Sequence, residues 1–204
     1  MKELLGERIL LGHGTRIEVP ALVFRELDQK NFDDFENLWR PPLKAARSRI
    51  TTAEEAAGIS IQDWHWEWAD KAIEAQRIMG RDTFAVECAG ETQGLMLTDV
   101  GFGQIATQKG RELVYVELLA TAPWNRPKLV PDPRYKGVGR VLIGTAISLS
   151  VDLGFAGRIG LHSLPQSESW YRAAGGFTDL GFDSSKKMHY FEMTESDAAA
   201  FVSE

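Results

Sequence analysis

The sequence predicts an α/β (α+β) domain with a mixed central sheet of about six or seven strands flanked by helices. Three observations lead to it. Hydrophobic residues recur with a helical period up to about residue 80 and alternate after it. A strand-helix-strand crossover spans residues 113–163, and that connection joins parallel neighbours. The 204 residues, 44% of them hydrophobic, suffice for one sizeable core and fall short of two full domains.

Taken in order, the first twenty residues fit no single pattern, and ALVFREL (21–27) reads as a strand. NFDDFENLWRPPLKAARSRI (31–50) opens as a helix on Phe32, Phe35 and Trp39. Pro41 and Pro42 should interrupt or kink it, because proline brings no amide hydrogen and its ring crowds the preceding turn. SIQDWHWEWADKAIEAQRIMG (60–80) puts Ile61, Trp64, Trp68 and Ala72 on one helical face and ends at Gly80. The WHWEW cluster reads either as the wall of an acceptor or acyl pocket, since aromatic faces attract cations, or as core; the shared face makes Trp64 and Trp68 core residues, and Trp66 points elsewhere. TFAVECAG (83–90) and TQGLMLTDVG (92–101) are strands joined in a hairpin around Gly90, and ELVYVELLATAP (112–123) is a third long strand.

In the loop that follows, Pro123, Pro127, Pro131 and Pro133 exclude regular structure. A buried helix then starts at Val138, with Val141, Leu142, Thr145, Leu149 and Asp152 at three- and four-residue steps. GRIGLHSL (157–164) is a strand, a helix runs from about Pro165 through QSESWYRAAGG, and FTDLGF and KMHYFEMT close the chain as two strands. Without a repeat, low-complexity tract or linker, the chain reads as one domain over 1–204 with its core at about 21–193.

The 23 basic and 29 acidic residues leave a net charge of −6, which argues against a nucleic-acid or other polyanion binder and agrees with a cationic partner. Cys88 is the single cysteine, so no intramolecular disulfide exists. It shares a strand face with Phe84 and Val86 and reads as a reduced core thiol. No run reaches the roughly 18 apolar residues of a membrane span, and the first residues are too charged for a secretory signal. A soluble cytoplasmic protein is therefore expected. His13, His65, His162 and His189 stand singly without metal-ligand spacing, so no metal is expected.

RYKGVGRVLIGTAISLS (134–150) carries the clearest chemical signal. A helix N-terminus leaves its first amide hydrogens unpaired and holds the positive end of the helix dipole, so it attracts anions, phosphates above all. Gly137 and Gly139 let the backbone come close to such a group, and Arg134, Lys136 and Arg140 surround it with mobile positive charge. The same pattern also occurs as an ordinary tight turn before an apolar helix.

The order of elements over about residues 21–193, together with this loop, resembles the GNAT N-acetyltransferase superfamily. The family's [Q/R]-x-x-G-x-[G/A] motif corresponds to Arg134-Tyr135-Lys136-Gly137-Val138-Gly139. Its tyrosine in the last helix, shortly before a Gly-Phe pair, corresponds to Tyr171 before Gly176-Phe177. Tyr171 stands one residue farther from the phenylalanine than is usual, the asparagine often found at the start of that helix is replaced by SLPQ, and the proline-rich loop is longer than is common.

The resemblance implies a single GNAT acyltransferase domain that uses acetyl-CoA, without a metal, to acetylate an amine on a small molecule or a protein, and, since many GNAT proteins dimerise, it allows a homodimer. Residues 134–140 would hold the CoA pyrophosphate. The main chain of Leu119, Ala120, Thr121 and Ala122, and that around Leu161 to Ser163, would pair with pantetheine. Tyr171 would be the general acid. Strand alternation turns Tyr115, Glu117 and Leu119 one way and Val114, Val116 and Leu118 the other. A carboxylate at Glu117 either lines a cleft or has a cationic partner, since burying it unpaired is costly. Many GNAT enzymes place their base on this strand, which makes Glu117 the candidate base and a structural ion pair its alternative. A non-catalytic acyl-CoA-binding regulator and an aminoacyl-tRNA-acetylating toxin are the other readings, and the acidic net charge weighs against the toxin.

Overall fold

The structure is a computed structural model that describes residues 2–15, 17–52, 61–101, 106–173 and 176–203. Ser60, where the second helix was expected to open, and Ala174-Gly175, within the expected last-helix motif, lie outside the described residues. The chain forms two compact units that interleave in sequence: Met1–Arg49, Asp63–Leu97 and Leu118–Leu142 make the first, and Ile50–Gln62, Thr98–Glu117 and Ile143–Glu204 the second.

The first unit holds β1 (Glu3–Gly12), β2 (Glu18–Arg25), β3 (Arg81–Cys88), most of β4 (Glu91–Asp99), the end of β5 (Val114–Thr121) and the two-residue β6 (Tyr135–Lys136). They are hydrogen-bonded in the order β6-β1-β2-β3-β4-β5. The expected hairpin is present, with Ala89 and Gly90 both at positive φ, the conformation of a tight two-residue turn. Where no pattern was read, β1 pairs with β2 from Glu3↔Arg25 to Leu11↔Glu18 through an irregularity between Leu4 and Gly6.

Three helices belong to this unit, α1 (Gln29–Asp34), α2 (Arg40–Arg47) and α3 (Trp68–Arg77). The prolines do not break the first pair apart. Pro41 and Pro42 occupy the first turn of α2, where a missing amide hydrogen costs least, and the strain is taken up before them in a widened π turn, Phe35–Trp39. Arg40 N–H closes that turn onto the Phe35 carbonyl. The expected 60–80 helix is in two pieces, a 3₁₀ turn at Gln62–His65 and α3 from Trp68. Trp64 therefore does not share a helical face with Trp68: Trp68 is buried, and Trp64 and Trp66 are half-buried. The buried Arg40 stabilises the break by donating to the Trp64 and Trp66 carbonyls and pairing with Glu36 and Glu67.

The second unit holds the start of β5, β7 (Ile159–Ser163), β8 (Thr178–Asp183) and β9 (Met188–Met193), in the order β5-β7-β9-β8. β5 and β7 are parallel, as the crossover requires, with Val114↔Ile159, Tyr115↔Gly160 and Val116↔Leu161 paired. The ladder goes no further than that. β9 is antiparallel to both β7 and β8. The connecting helix α4 (Val138–Asp152) begins in the first unit and ends in the second. Leu142, Ile143 and Ala146 on it are fully buried, whereas Asp152, expected on the buried face, is exposed. α5 (Glu168–Ala173) and α6 (Glu195–Ser203) complete the unit.

The described residues thus contain nine strands in a mixed sheet, more than the six or seven expected. β1 and β6 account for the excess, side by side at one end of the strand order. The buried Leu10 of β1 and the buried Ala198 and Phe201 of α6 show that the packed structure reaches beyond 21–193.

Candidate active site

In the first unit the site is built around the start of α4. Tyr135 and Lys136 leave the proline-rich loop as β6, paired with Gly12 and Leu11 of β1. Gly137 then adopts φ 96°, a conformation that side chains disfavour, and its carbonyl accepts from Val141 N–H as the first bond of the helix. The amides of Val138, Gly139 and Arg140 belong to the first turn of the helix, which contains no carboxylate. Gly137 is exposed and Gly139 half-buried, so the turn is open to an anion. Gly94 of β4 seats the helix: a Cβ there would come within 2.7 Å of Val138 Cγ1 and 2.9 Å of Leu142 Cδ1.

The approach to this turn is held by hydrogen bonds and includes a regular turn, where the prolines were expected to exclude regular structure. Pro123–Asn125 form a 3₁₀ turn. The fully buried Gln93 holds it, its Oε1 accepting from Trp124 Nε1 (2.8 Å) and Asn125 Nδ2 (2.9 Å). Asn125 Oδ1 in turn accepts from Tyr135 N–H at 3.0 Å. Arg134 is pinned rather than mobile, ion-paired with Glu91 and stacked 4.8 Å over the Trp124 ring. Lys136 is exposed and Arg140 half-buried.

Arg126 forks onto Asp63 through two bonds of 3.1 and 2.6 Å and donates a third, 2.8 Å, to the Thr121 carbonyl. Ala122 N–H donates to the Gln93 carbonyl at 2.9 Å. Two main-chain groups of the Leu119–Ala122 stretch are thus already engaged within the protein. Cys88 is a buried thiol beside the Tyr135 hydroxyl, and burial pushes its titration up, which keeps it protonated.

In the second unit, Tyr171 is buried on α5 among Trp170, Phe177 and Phe191. Burial raises its phenol far above the ordinary value, so it carries its proton throughout the neutral range. Ser163 is buried at the end of β7, and its hydroxyl donates to the Leu164 carbonyl. Glu117 is half-buried on the same face of β5 as Tyr115. The strand register carries that face to His162 and Tyr190, whereas Val116, Leu161 and Phe191 define the other. Glu117 and Tyr171 therefore lie on opposite faces of these strands.

The Glu117 face also holds a constellation that scattered histidines did not suggest. Tyr115 Oη lies 2.9 Å from His162 Nδ1, and His162 Nε2 lies 3.1 Å from Asp183 Oδ2. Asp183 is held down to about 2 by hydrogen bonds from the Ser185 hydroxyl and amide, so its carboxylate only accepts. Burial lowers His162 and keeps the ring neutral. Nε2–H must then donate to Asp183, which leaves Nδ1 to accept from the Tyr115 hydroxyl. Burial, and after it the charge of Glu117, pushes Tyr115 up to about 12. Among the described residues no cluster of His, Cys, Asp and Glu could hold a metal ion, and no helix is long and apolar enough to cross a membrane.

No known protein-family profile matches the sequence, and no curated protein matches it. Solved structures do match. The PaiA N-acetyltransferase of Thermoplasma acidophilum, in complex with coenzyme A, is similar with a TM-score of 0.53 at 13% identity, over 84% of this chain and 98% of that one. The chain has the GNAT fold. Other structures sharing this fold are the spermidine N-acetyltransferase of Vibrio cholerae with CoA and spermine (TM-score 0.53, 17% identity, 88% of this chain and 98% of that one), and FeeM, an N-acyl amino acid synthase from uncultured soil microbes (TM-score 0.51, 10% identity, 89% and 95%). At such identities the GNAT likeness is one of architecture.

Gln93, Arg126 with Asp63, and the Tyr115–His162–Asp183 series were not singled out in the sequence. A glutamine inside the apolar run TQGLML and a histidine inside GRIGLHSL were the signals available, since a polar residue buried in a strand must find a partner.

Proposed function

We propose that the protein is an N-acetyltransferase that moves an acetyl group from acetyl-CoA to an amine by direct attack in a ternary complex. The observation that carries the reading is the start of α4, on a GNAT fold: an open turn with Gly137 at positive φ, the amides of the helix's first turn after it and no carboxylate within that turn. Those amides and the cations of residues 134–140 receive the pyrophosphate. The main chain of Leu119, Ala120, Thr121 and Ala122 and of Ser163 meets pantetheine, helped by a β5–β7 ladder that stops after Val116↔Leu161.

The free amine attacks the thioester carbonyl, the C–N bond forms, and the C–S bond breaks as the thiolate leaves. Glu117 takes the proton of the amine, directly or through a water, and Tyr171 gives its proton to the thiolate. The place of Tyr171 on the helix before Gly176-Phe177 supports its part. The half-burial of Glu117 on a polar strand face supports that of Glu117. A cationic acceptor such as a polyamine agrees with the net charge of −6 and with the spermine held by the Vibrio enzyme.

The experiment is a panel of amines (a polyamine, an aminoglycoside, a lysine peptide and a peptide with a free N-terminus), each incubated with acetyl-CoA while free thiol is followed. Amine-dependent thiol release is expected. Saturable acetyl-CoA binding with no release for any amine would replace the enzyme with a non-catalytic binding protein.

A further inference from the structure

We propose that Tyr115, His162 and Asp183 form a hydrogen-bonded relay that carries the acceptor's proton away from the Glu117 face of β5 toward solvent. The proposal rests on the acetyltransferase reading, and it concerns what happens to the proton after Glu117 has taken it.

The three groups come from three strands, β5, β7 and β8, and are joined end to end by contacts of 2.9 and 3.1 Å. Exposure rises at the Asp183 end. The His162 side chain is 3% exposed, and that of Asp183 is 35% exposed. A buried ring thus links the inner hydroxyl to a carboxylate in contact with water. Apolar residues would fill the same volume without the cost of desolvating the Tyr115 hydroxyl and the His162 ring, so packing alone does not account for them. Tyr115 is two residues from Glu117 on the same strand face, and the negative charge of Glu117 is felt at its hydroxyl.

The charged and titratable groups around the ring are few. Tyr190 of β9 stacks on it at 4.7 Å, with Glu192 of the same strand acting on Tyr190. Lys186 opposes its protonation from the β8–β9 turn, Asp183 favours it, and Glu117 and Asp99 act on Tyr115.

The step balances without an electron acceptor. The O–H bond of protonated Glu117 breaks as one forms at Tyr115 Oη, directly or through a water. The original Tyr115 O–H breaks as an N–H forms at His162 Nδ1. The Nε2–H breaks as an O–H forms on Asp183, which passes its proton to water or buffer. Between turnovers the ring regains its Nε2–H tautomer by exchange with water. Glu117 is the only one of the four that meets the amine, and the other three are positioning residues.

Tyr115→Phe and His162→Gln, each assayed with the best amine from pH 6 to 10, test the relay alongside Glu117→Gln. Tyr115→Phe should keep acetyl-CoA affinity and melting temperature. It should lower kcat/KM near neutral pH by about tenfold or more, with the deficit narrowing at high pH, where the amine is already free. Wild-type rates in mixed light and heavy water should bow downward, as when several protons move, and the Tyr115→Phe profile should straighten. A structural role would move neither the pH profile nor that curvature. Unchanged rates in Tyr115→Phe and His162→Gln, with Glu117→Gln slowed, would overturn the relay and leave the acetyltransferase reading standing. Absence of thiol release by the wild type with every amine would overturn both.

Discussion

The Tyr171 ring rests on Phe191, with centroids 5.6 Å apart, on the strand face opposite to the one that carries Glu117. Phe191 pairs with Leu161 and Leu161 with Val116, so the step from Val116 to Glu117 is also a step through the sheet. An acid and a base placed this way can serve the two ends of one transfer without sharing a proton. In the proposed mechanism the thiolate would be served from one face and the amine from the other.

Tyr171→Phe keeps the contacts with Phe177 and Phe191 and removes only the hydroxyl. Turnover should fall by about 10²-fold or more, with acetyl-CoA affinity and melting temperature close to wild type. Steady-state kinetics beside a thermal melt check this. Wild-type turnover would show that the thiolate leaves without this proton.

Arg126 and Asp63 form a largely buried ion pair, and Arg126 also holds the Thr121 carbonyl. Their side chains are 16% and 4% exposed, so Arg126→Ala would strand a buried carboxylate and should cost roughly 3 kcal/mol. Arg126→Met with Asp63→Leu removes both charges and should recover most of that stability. Denaturant unfolding of the three proteins measures it; equal losses in the single and double variants would assign the effect to packing instead.

The sign of the acid dependence follows from His162 and Asp183. Burial holds His162 below 6.5 in the folded state, so the unfolded chain binds more protons as pH falls, and stability present above about 6.5 is lost progressively below it. Asp183 acts in the same direction in a lower window, between 3.8 unfolded and about 2 folded. The melting temperature should therefore drop between pH 7 and pH 5, and less steeply in His162→Gln. A parallel slope in that variant would remove His162 as the source.

What could be read from the sequence was local. The G-x-G turn before α4 and the change of period after residue 80 are each confined to a short stretch of chain, so that turn and most of the strands were legible. β1 was not, because the irregularity between Leu4 and Gly6 breaks its alternation and leaves Leu4, Leu5, Ile9 and Leu11 exposed with only Leu10 buried. α6 did carry a signal. Thr194 and Asp197 exchange side-chain and backbone bonds as a helix-opening pair, and the T-x-x-D spacing can be seen in TESD. Tyr115, His162 and Asp183 could not be assembled beforehand, since only the register of β5, β7, β9 and β8 brings them together.

The central claim is that acetyl-CoA is held by its pyrophosphate at the start of α4. Calorimetric titration of acetyl-CoA into wild type and Gly139→Asp tests it most directly, because the new carboxylate would stand among the amides meant for phosphate and at the positive end of the helix dipole. The same dipole favours a carboxylate in the first turn, so the fold should survive with its melting temperature kept. The account predicts saturable binding by the wild type and an affinity loss of about a hundredfold or more in Gly139→Asp. Equal affinity in a folded Gly139→Asp protein would contradict it.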